Sequence, residues 1–227
     1  MDNPLPAKTP DPVAPGAPHL PLRVVKVGGS LLDWQSLPNA LRGWLGTQPP
    51  ARNLLICGGG PLTDAIRRTD EIHALGETAA HWLCIDALSV TARLLASLLG
   101  DMQVTDSLKL IALKPEVRAK ECRTPSLALQ ASIAIFDPRR FLIEEEPGLP
   151  GCVLPHDWSA TTDSIAARLA EVLHADELVL LKSADPPPFT TLADLAAAGY
   201  SDLHFLAAAA MLRAVRYVNL RARKRPG

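Results

Sequence analysis

The sequence predicts an α/β protein, a three-layer αβα sandwich on a mostly parallel central sheet. Three observations carry that expectation. Short apolar runs such as Leu22–Val27 and Asn53–Cys57 read as strands buried on both faces, the pattern of parallel sheet. Longer amphipathic stretches alternate with them, as βαβ units require. Two of the strands also run straight into glycine, at Gly28-Gly29-Ser30 and at Gly58-Gly59-Gly60.

Taken in order, residues 1–21 are rich in proline, lack an apolar segment and read as a disordered arm; residues 22–227 then form one domain. Leu22 to Val27 is the first strand, interrupted only by Lys26. Gln35 to Leu45 follows as a helix, Asn53 to Cys57 as a second buried strand, and Pro61 opens the next helix, a favoured place for proline. Thr78 to Leu99 reads as a long core helix; His81, Asp86 and Arg93 argue against a membrane span. In the middle, Met102 to Thr105, Ser132 to Phe136 and Cys152 to Leu154 are expected as short strands, Leu108 to Leu113 as strand or helix, and Glu144 to Gly148 as loop.

The pattern then sharpens. Asp163 to His174 is a helix with Thr161 or Thr162 as its N-cap. Glu177 to Leu181 is a buried strand, Thr191 to Ala198 and Leu203 to Ala214 are helices, and Val215 to Leu220 is a last strand. In such a sheet ligands sit at the carboxyl ends of the strands. Lys26, both glycine runs, Lys182 and Asp185 all fall on that edge.

Composition narrows the function. With 48% hydrophobic and 21% charged residues and a net charge of -1, nothing favours nucleic acid. The basic tail Arg221, Arg223, Lys224, Arg225 reads as a solvated terminus. Four separated cysteines without a CxxC pair give no zinc ribbon, and no metal site is expected. The expectation is a cytoplasmic protein with a small-molecule partner.

The glycine runs carry the chemistry. Glycine lets backbone N–H groups approach an anion closely. Two cradles side by side suit two phosphate-bearing ligands, with the Lys26 charge between them. The other reading is two structural βα turns. Neither run is a Walker A loop or a full Rossmann fingerprint. His81 and His156 read either as core or surface histidines or, beside Trp82 and Trp158, as the lining of an aromatic pocket.

Three segments together resemble the amino acid kinase superfamily. Val25-Lys26-Val27-Gly28-Gly29-Ser30 looks like its opening strand and loop, and Ile56-Cys57-Gly58-Gly59-Gly60 like its second glycine loop. Thr161-Thr162-Asp163-Ser164-Ile165-Ala166 looks like its Thr-x-Asp-x-x-Ala helix start. Ala80-His81-Trp82-Leu83 and Leu154-Pro155-His156-Asp157-Trp158 are similar to stretches of the aminomethylfuranylmethyl phosphate kinases of methanofuran biosynthesis.

The resemblance implies ATP and Mg²⁺ as cofactors, a small phosphomonoester converted to a diphosphate, and a homo-oligomer. It implies catalytic roles for Lys26, Asp163 and Lys182. Gly28, Gly29, Ser30 and Asp185 would serve the nucleotide; Gly58, Gly59, Gly60, His81, Trp82, His156 and Asp157 would serve the acceptor. The aromatic wall would come from Trp82 or Trp158, and an acid for the acceptor's amine from Asp86 or Asp157. The α-helix starting at Asp163 would add partial positive charge.

The chain departs from the pattern on the donor side. Lys182-Ser183-Ala184-Asp185-Pro186-Pro187-Pro188 stands where the superfamily has an aspartate-valine-aspartate-glycine-like segment. Leu206 to Met211 stands where a later glycine-glycine-methionine segment often supplies a second lysine. Two alternatives follow: a kinase for nucleoside monophosphates or another small acid, and a non-catalytic kinase fold that binds a ligand or partner.

Overall fold

The computed structural model describes residues 20–112, 133–188 and 191–222. In chain order it builds β1 (Leu22–Val27), α1 (Leu37–Thr47), β2 (Arg52–Cys57), α2 (Pro61–His73), α3 (Glu77–Leu98), β3 (Val104–Thr105) and α4 (Leu108–Ala112). Then follow β4 (Ile133–Phe136), α5 (Thr162–Val172), β5 (Glu177–Lys182), α6 (Leu192–Ala197), α7 (Phe205–Ala208) and β6 (Val215–Asn219). The strands form one sheet in the order β3-β4-β2-β1-β5-β6, and every pairing is parallel. The expected α/β sandwich is what the chain forms. Of the proline-rich arm, residues 1–19 lie outside the described residues, as do Leu113 and Ser132.

Side-chain alternation along β1 sets up the site. Leu22 and Val24 join one hydrophobic core, where Ile165, Leu169 and Ala170 of α5 pack. Val25 and Val27 join the other, with Leu37, Leu41 and Leu45 of α1. Because successive residues of a strand point to opposite faces, Lys26 belongs to the α5 side. The β1–β5 register pairs Lys26 with Leu180, which puts Lys182, two residues on, on that same side.

Several boundaries differ from expectation, each for a local reason. Helix α1 starts at Leu37 because Pro38 suits a first turn. Cys152 to Leu154 is not a strand: Leu149 O and Pro150 O accept from the buried Arg168 guanidinium, and Leu154 N donates to Glu146 Oε1. The expected loop at Glu144 to Gly148 is a turn of π-helix (Phe141–Glu145) followed by a 3₁₀ turn (Glu146–Gly148). The helix expected from Leu203 shrinks to the four residues of α7. Helix α3 is long and apolar enough by composition to cross a membrane, yet here it packs on the sheet, burying Ala80, Ile85, Leu88, Ala92 and Leu95.

Candidate active site

The carboxyl edge of β1 and β5 carries a buried charge centre. Lys26 Nζ lies 2.7 Å from Asp163 Oδ1, and Lys182 Nζ donates to Asp163 Oδ2 at 2.5 Å. The Lys26 contact is an ion pair by distance, while its angles fall short of a hydrogen bond. Lys182 also donates to Tyr200 O at 2.7 Å. All three side chains are nearly excluded from water, at 8% exposure for Lys26, 5% for Asp163 and 15% for Lys182. Burial pushes the Asp163 carboxyl upward, but the two ammonium groups outweigh it and hold the group below the ordinary carboxylate range. Burial, then repulsion from Lys26, lowers Lys182 despite Asp163.

The two glycine loops follow β1 and β2 at the same edge and touch each other. A Cβ on Gly29 would lie 2.4 Å from Gly60 N, and one on Gly58 would lie 2.6 Å from Gly29 N. Gly60 itself has φ +54, and its Cβ would meet Gly29 O at 2.6 Å. Only backbone without side chains permits this approach. The structural reading of the glycines is therefore correct in part: they let the loops meet.

The loops also offer amides. Gly28 N–H is spent on Leu181 O and Gly58 N–H on Val27 O, which extend the ladders and remove these two donors from the expected cradles. The amides of Gly29, Ser30, Gly59 and Gly60 have no such partner among the described residues. They are the donors left for anions. Ser30 Oγ meets Ser183 Oγ at 2.9 Å, joining the first loop to the exit of β5. Asp185 is exposed on that exit, which Tyr200 Oη pins by donating to Ala184 O at 2.9 Å.

On the α2–α3 side, His81, Trp82 and His156 form one aromatic group. Trp82 and His156 lie 4.7 Å apart between ring centres, and His81 and His156 lie 5.6 Å apart. His81 Nδ1 is 3.1 Å from Asp157 O, tying α3 to the loop before α5, and burial lowers the His81 pKa. The Arg67 guanidinium of α2 covers the Trp158 ring at 5.1 Å. Of the two acids expected to meet an acceptor's amine, Asp86 is in an ion pair and Asp157 accepts through one oxygen. Asp86 pairs with Arg139 at 2.5 Å, and Asp157 Oδ1 accepts from Ser159 N–H at 2.7 Å and Ser159 Oγ at 2.5 Å.

The N-terminus of α5 corrects a further expectation. Thr161 occupies the N-cap position but its side chain accepts no capping bond. The Asp202 carboxylate caps the helix instead, accepting from Thr161 N–H at 3.0 Å, Thr161 Oγ1 at 2.7 Å, Ser164 N–H at 3.1 Å and Ser164 Oγ. That negative charge offsets the partial positive charge of the helix end. Asp202, Tyr200 and Ser183 are the site residues sequence reasoning missed. Nothing in their local pattern marks them, because their partners come from distant strands and helices.

One carboxyl edge of a parallel sandwich thus carries paired glycine loops and a Lys–Asp–Lys centre. The chain belongs to the amino acid kinase family, whose model matches residues 21–186, and its chemistry is phosphoryl transfer. It is 24% identical over 165 residues to a (5-(aminomethyl)furan-3-yl)methyl phosphate kinase of Methanocaldococcus jannaschii, spanning 72% of this chain and 67% of that one. Among solved structures it resembles a UMP kinase from Ureaplasma parvum (TM-score 0.53, 15% identity, 86% and 88% of the two chains). It also resembles a uridylate kinase from Archaeoglobus fulgidus (TM-score 0.51, 20% identity, 84% and 85%). At these identities the solved structures speak for the fold.

Proposed function

We propose that the protein is an ATP-dependent kinase that adds a phosphoryl group to a small aromatic phosphomonoester of the aminomethylfuran phosphate type, yielding a diphosphate for methanofuran-like cofactor assembly. The observation that carries the kinase reading is the Lys26–Asp163–Lys182 centre at the same sheet edge as two touching loops with free amides. The match to the M. jannaschii enzyme supports the acceptor.

In this reading the Gly29 and Ser30 amides take the donor phosphates, and the Gly59 and Gly60 amides take the acceptor phosphate. An acceptor oxygen attacks the γ-phosphorus in line, and the bond to the β–γ bridging oxygen breaks to release ADP. Little covalent help is needed; positioning and charge neutralisation do the work. Lys26 and Lys182 supply that charge, and Asp163 keeps both ammoniums aimed at one point. The residues fit a nucleotide through these unpartnered amides. For Mg²⁺, no group of three acidic, histidine or cysteine side chains offers a site among the described residues, so the ion would be held chiefly by the phosphates, where it supplies further charge neutralisation. Asp163 is already engaged by two lysines. Trp82 and His156 offer the flat apolar surface an aromatic ring needs.

The reading carries with it a cytoplasmic setting and a homo-oligomer, the latter checked by sedimentation. The decisive experiment incubates the purified chain with MgATP and either aminomethylfuran phosphate or UMP, with product mass determined. Diphosphate formed from the furan substrate is the expected result. Turnover of UMP alone overturns the acceptor. A folded protein that neither binds ATP nor turns over either compound overturns the kinase reading in favour of a ligand-binding role.

A further inference from the structure

The geometry points to Arg221, beyond the last strand, as a donor-phosphate ligand that supplements the two buried lysines. The inference rests on the placement of the nucleotide at the first glycine loop. After β6 the chain is fixed to the neighbouring strand, since Leu220 N donates to Lys182 O at 2.9 Å. It then crosses the carboxyl edge toward β1. There Arg221 Nη2 donates to Ser30 O at 2.8 Å, and its guanidinium lies over the Trp34 ring at 5.5 Å. Ser30 carries one of the free amides and is itself exposed. The guanidinium is therefore held beside the first glycine loop, on the carbonyl side of its 3₁₀ turn, by one hydrogen bond and one aromatic face.

Charge arithmetic explains why a cation is useful there. Two ammoniums and one carboxylate leave the buried centre with a single net positive charge. A triphosphate chain carries far more negative charge than that. Among the described residues no carboxylate forms an ion pair with Arg221, so its charge is not already neutralised. A guanidinium has five N–H donors, and binding Ser30 O uses one of them. The remaining donors form the planar fork that suits phosphate oxygens.

The test compares Arg221→Ala, Arg221→Gln and Arg221→Lys in the full chain, measuring ATP and acceptor-phosphate binding by calorimetry. Gln removes the charge and is too short to keep the bond to Ser30 O; Lys keeps the charge without the fork. The expected result is an ATP dissociation constant raised about tenfold or more in the Ala and Gln variants. Lys should recover most of that loss, and acceptor binding should not change. If Gln binds ATP as wild type does, the Arg221 charge is not used and the inference is overturned. Unchanged ATP binding in Arg221→Ala also overturns it. If Arg221→Ala fails to fold, the Gln and Lys pair decides alone. A wild-type chain that binds no ATP removes the donor-side reading itself, and this inference with it.

Discussion

Helices α2 and α5 both begin at the carboxyl edge of the sheet, and both aim their first turn at the site. Their surroundings are opposite. Every residue of α5 from Thr162 to Ala170 is buried, whereas α2 buries none. Helix α5 lies across β1, β2 and β5, so its small and apolar residues have a sheet on one side and α7 on another. Helix α2 rests mainly on α3. It is tied down at its start, where Gly60 meets Gly29, and in its middle, where Arg67 covers Trp158. The difference separates two tasks. The buried helix contributes Asp163 to the charge centre, whose two lysines come from β1 and β5. The aromatic group proposed as the acceptor wall lies on α3 and the loop before α5, beside the exposed helix.

Asp163→Asn should break the buried half most severely. It leaves two lysines, 8% and 15% exposed, facing each other without a counter-ion. Stranding a buried charge costs about 3–5 kcal/mol, to be read in urea unfolding. The same residue gives the wild type a pH signature. Its folded pKa is depressed, so its stabilisation is fully present above the ordinary carboxylate range and is lost as pH falls through the lower folded value. Acid titration of unfolding should show this loss in the wild type and not in Asp163→Asn.

Lys26→Ala comes next, and acts on rate rather than fold. Losing one clamp on transition-state charge should lower phosphoryl transfer by at least about a hundredfold. Circular dichroism should stay unchanged. Normal turnover would make Lys26 structural.

Gly59→Ala tests the exposed side. Its Cβ would come within 2.0 Å of Thr63 Cγ2 and 2.6 Å of Thr63 Oγ1 in the first turn of α2. Overpacking of this kind costs about 1–3 kcal/mol, and here it should raise the KM for the acceptor more than that for ATP. Adding Thr63→Ala removes the two nearest clashing atoms, leaves Thr63 Cβ at 2.8 Å, and should recover part of the loss. The smallest effect sharpens the contrast: Ile72→Ser on α2, at a position 69% exposed, should change stability by no more than about 0.5 kcal/mol.

Much of this was legible in the sequence because it depends on neighbours in the chain. The apolar runs of β1, β2 and β5 mark buried parallel strands. The glycines after β1 and β2 mark close backbone approach, and Lys26 stands out as a charge within an apolar run. Period-two alternation then decides which face Lys26 takes. The family motif placed Asp163 at the start of α5.

Other features needed the folded molecule. That Lys182 reaches the carboxylate bound by Lys26 follows from the β1–β5 register, a pairing between segments far apart in sequence. That Asp202, and not Thr161, caps α5 follows from the chain's return beside that helix. Arg221 is exposed, as the solvated tail implied, and Arg223 to Arg225 lie outside the described residues; its bond to Ser30 O follows from the exit of β6. That Asp86 pairs with Arg139, and that Asp157 Oδ1 accepts from Ser159, also follow from the folded chain. Strand and helix identity arise from local periodicity, which the sequence displays directly. The partner of a charge is chosen by whichever distant group the packing delivers within about 3 Å, and only the tertiary structure decides that.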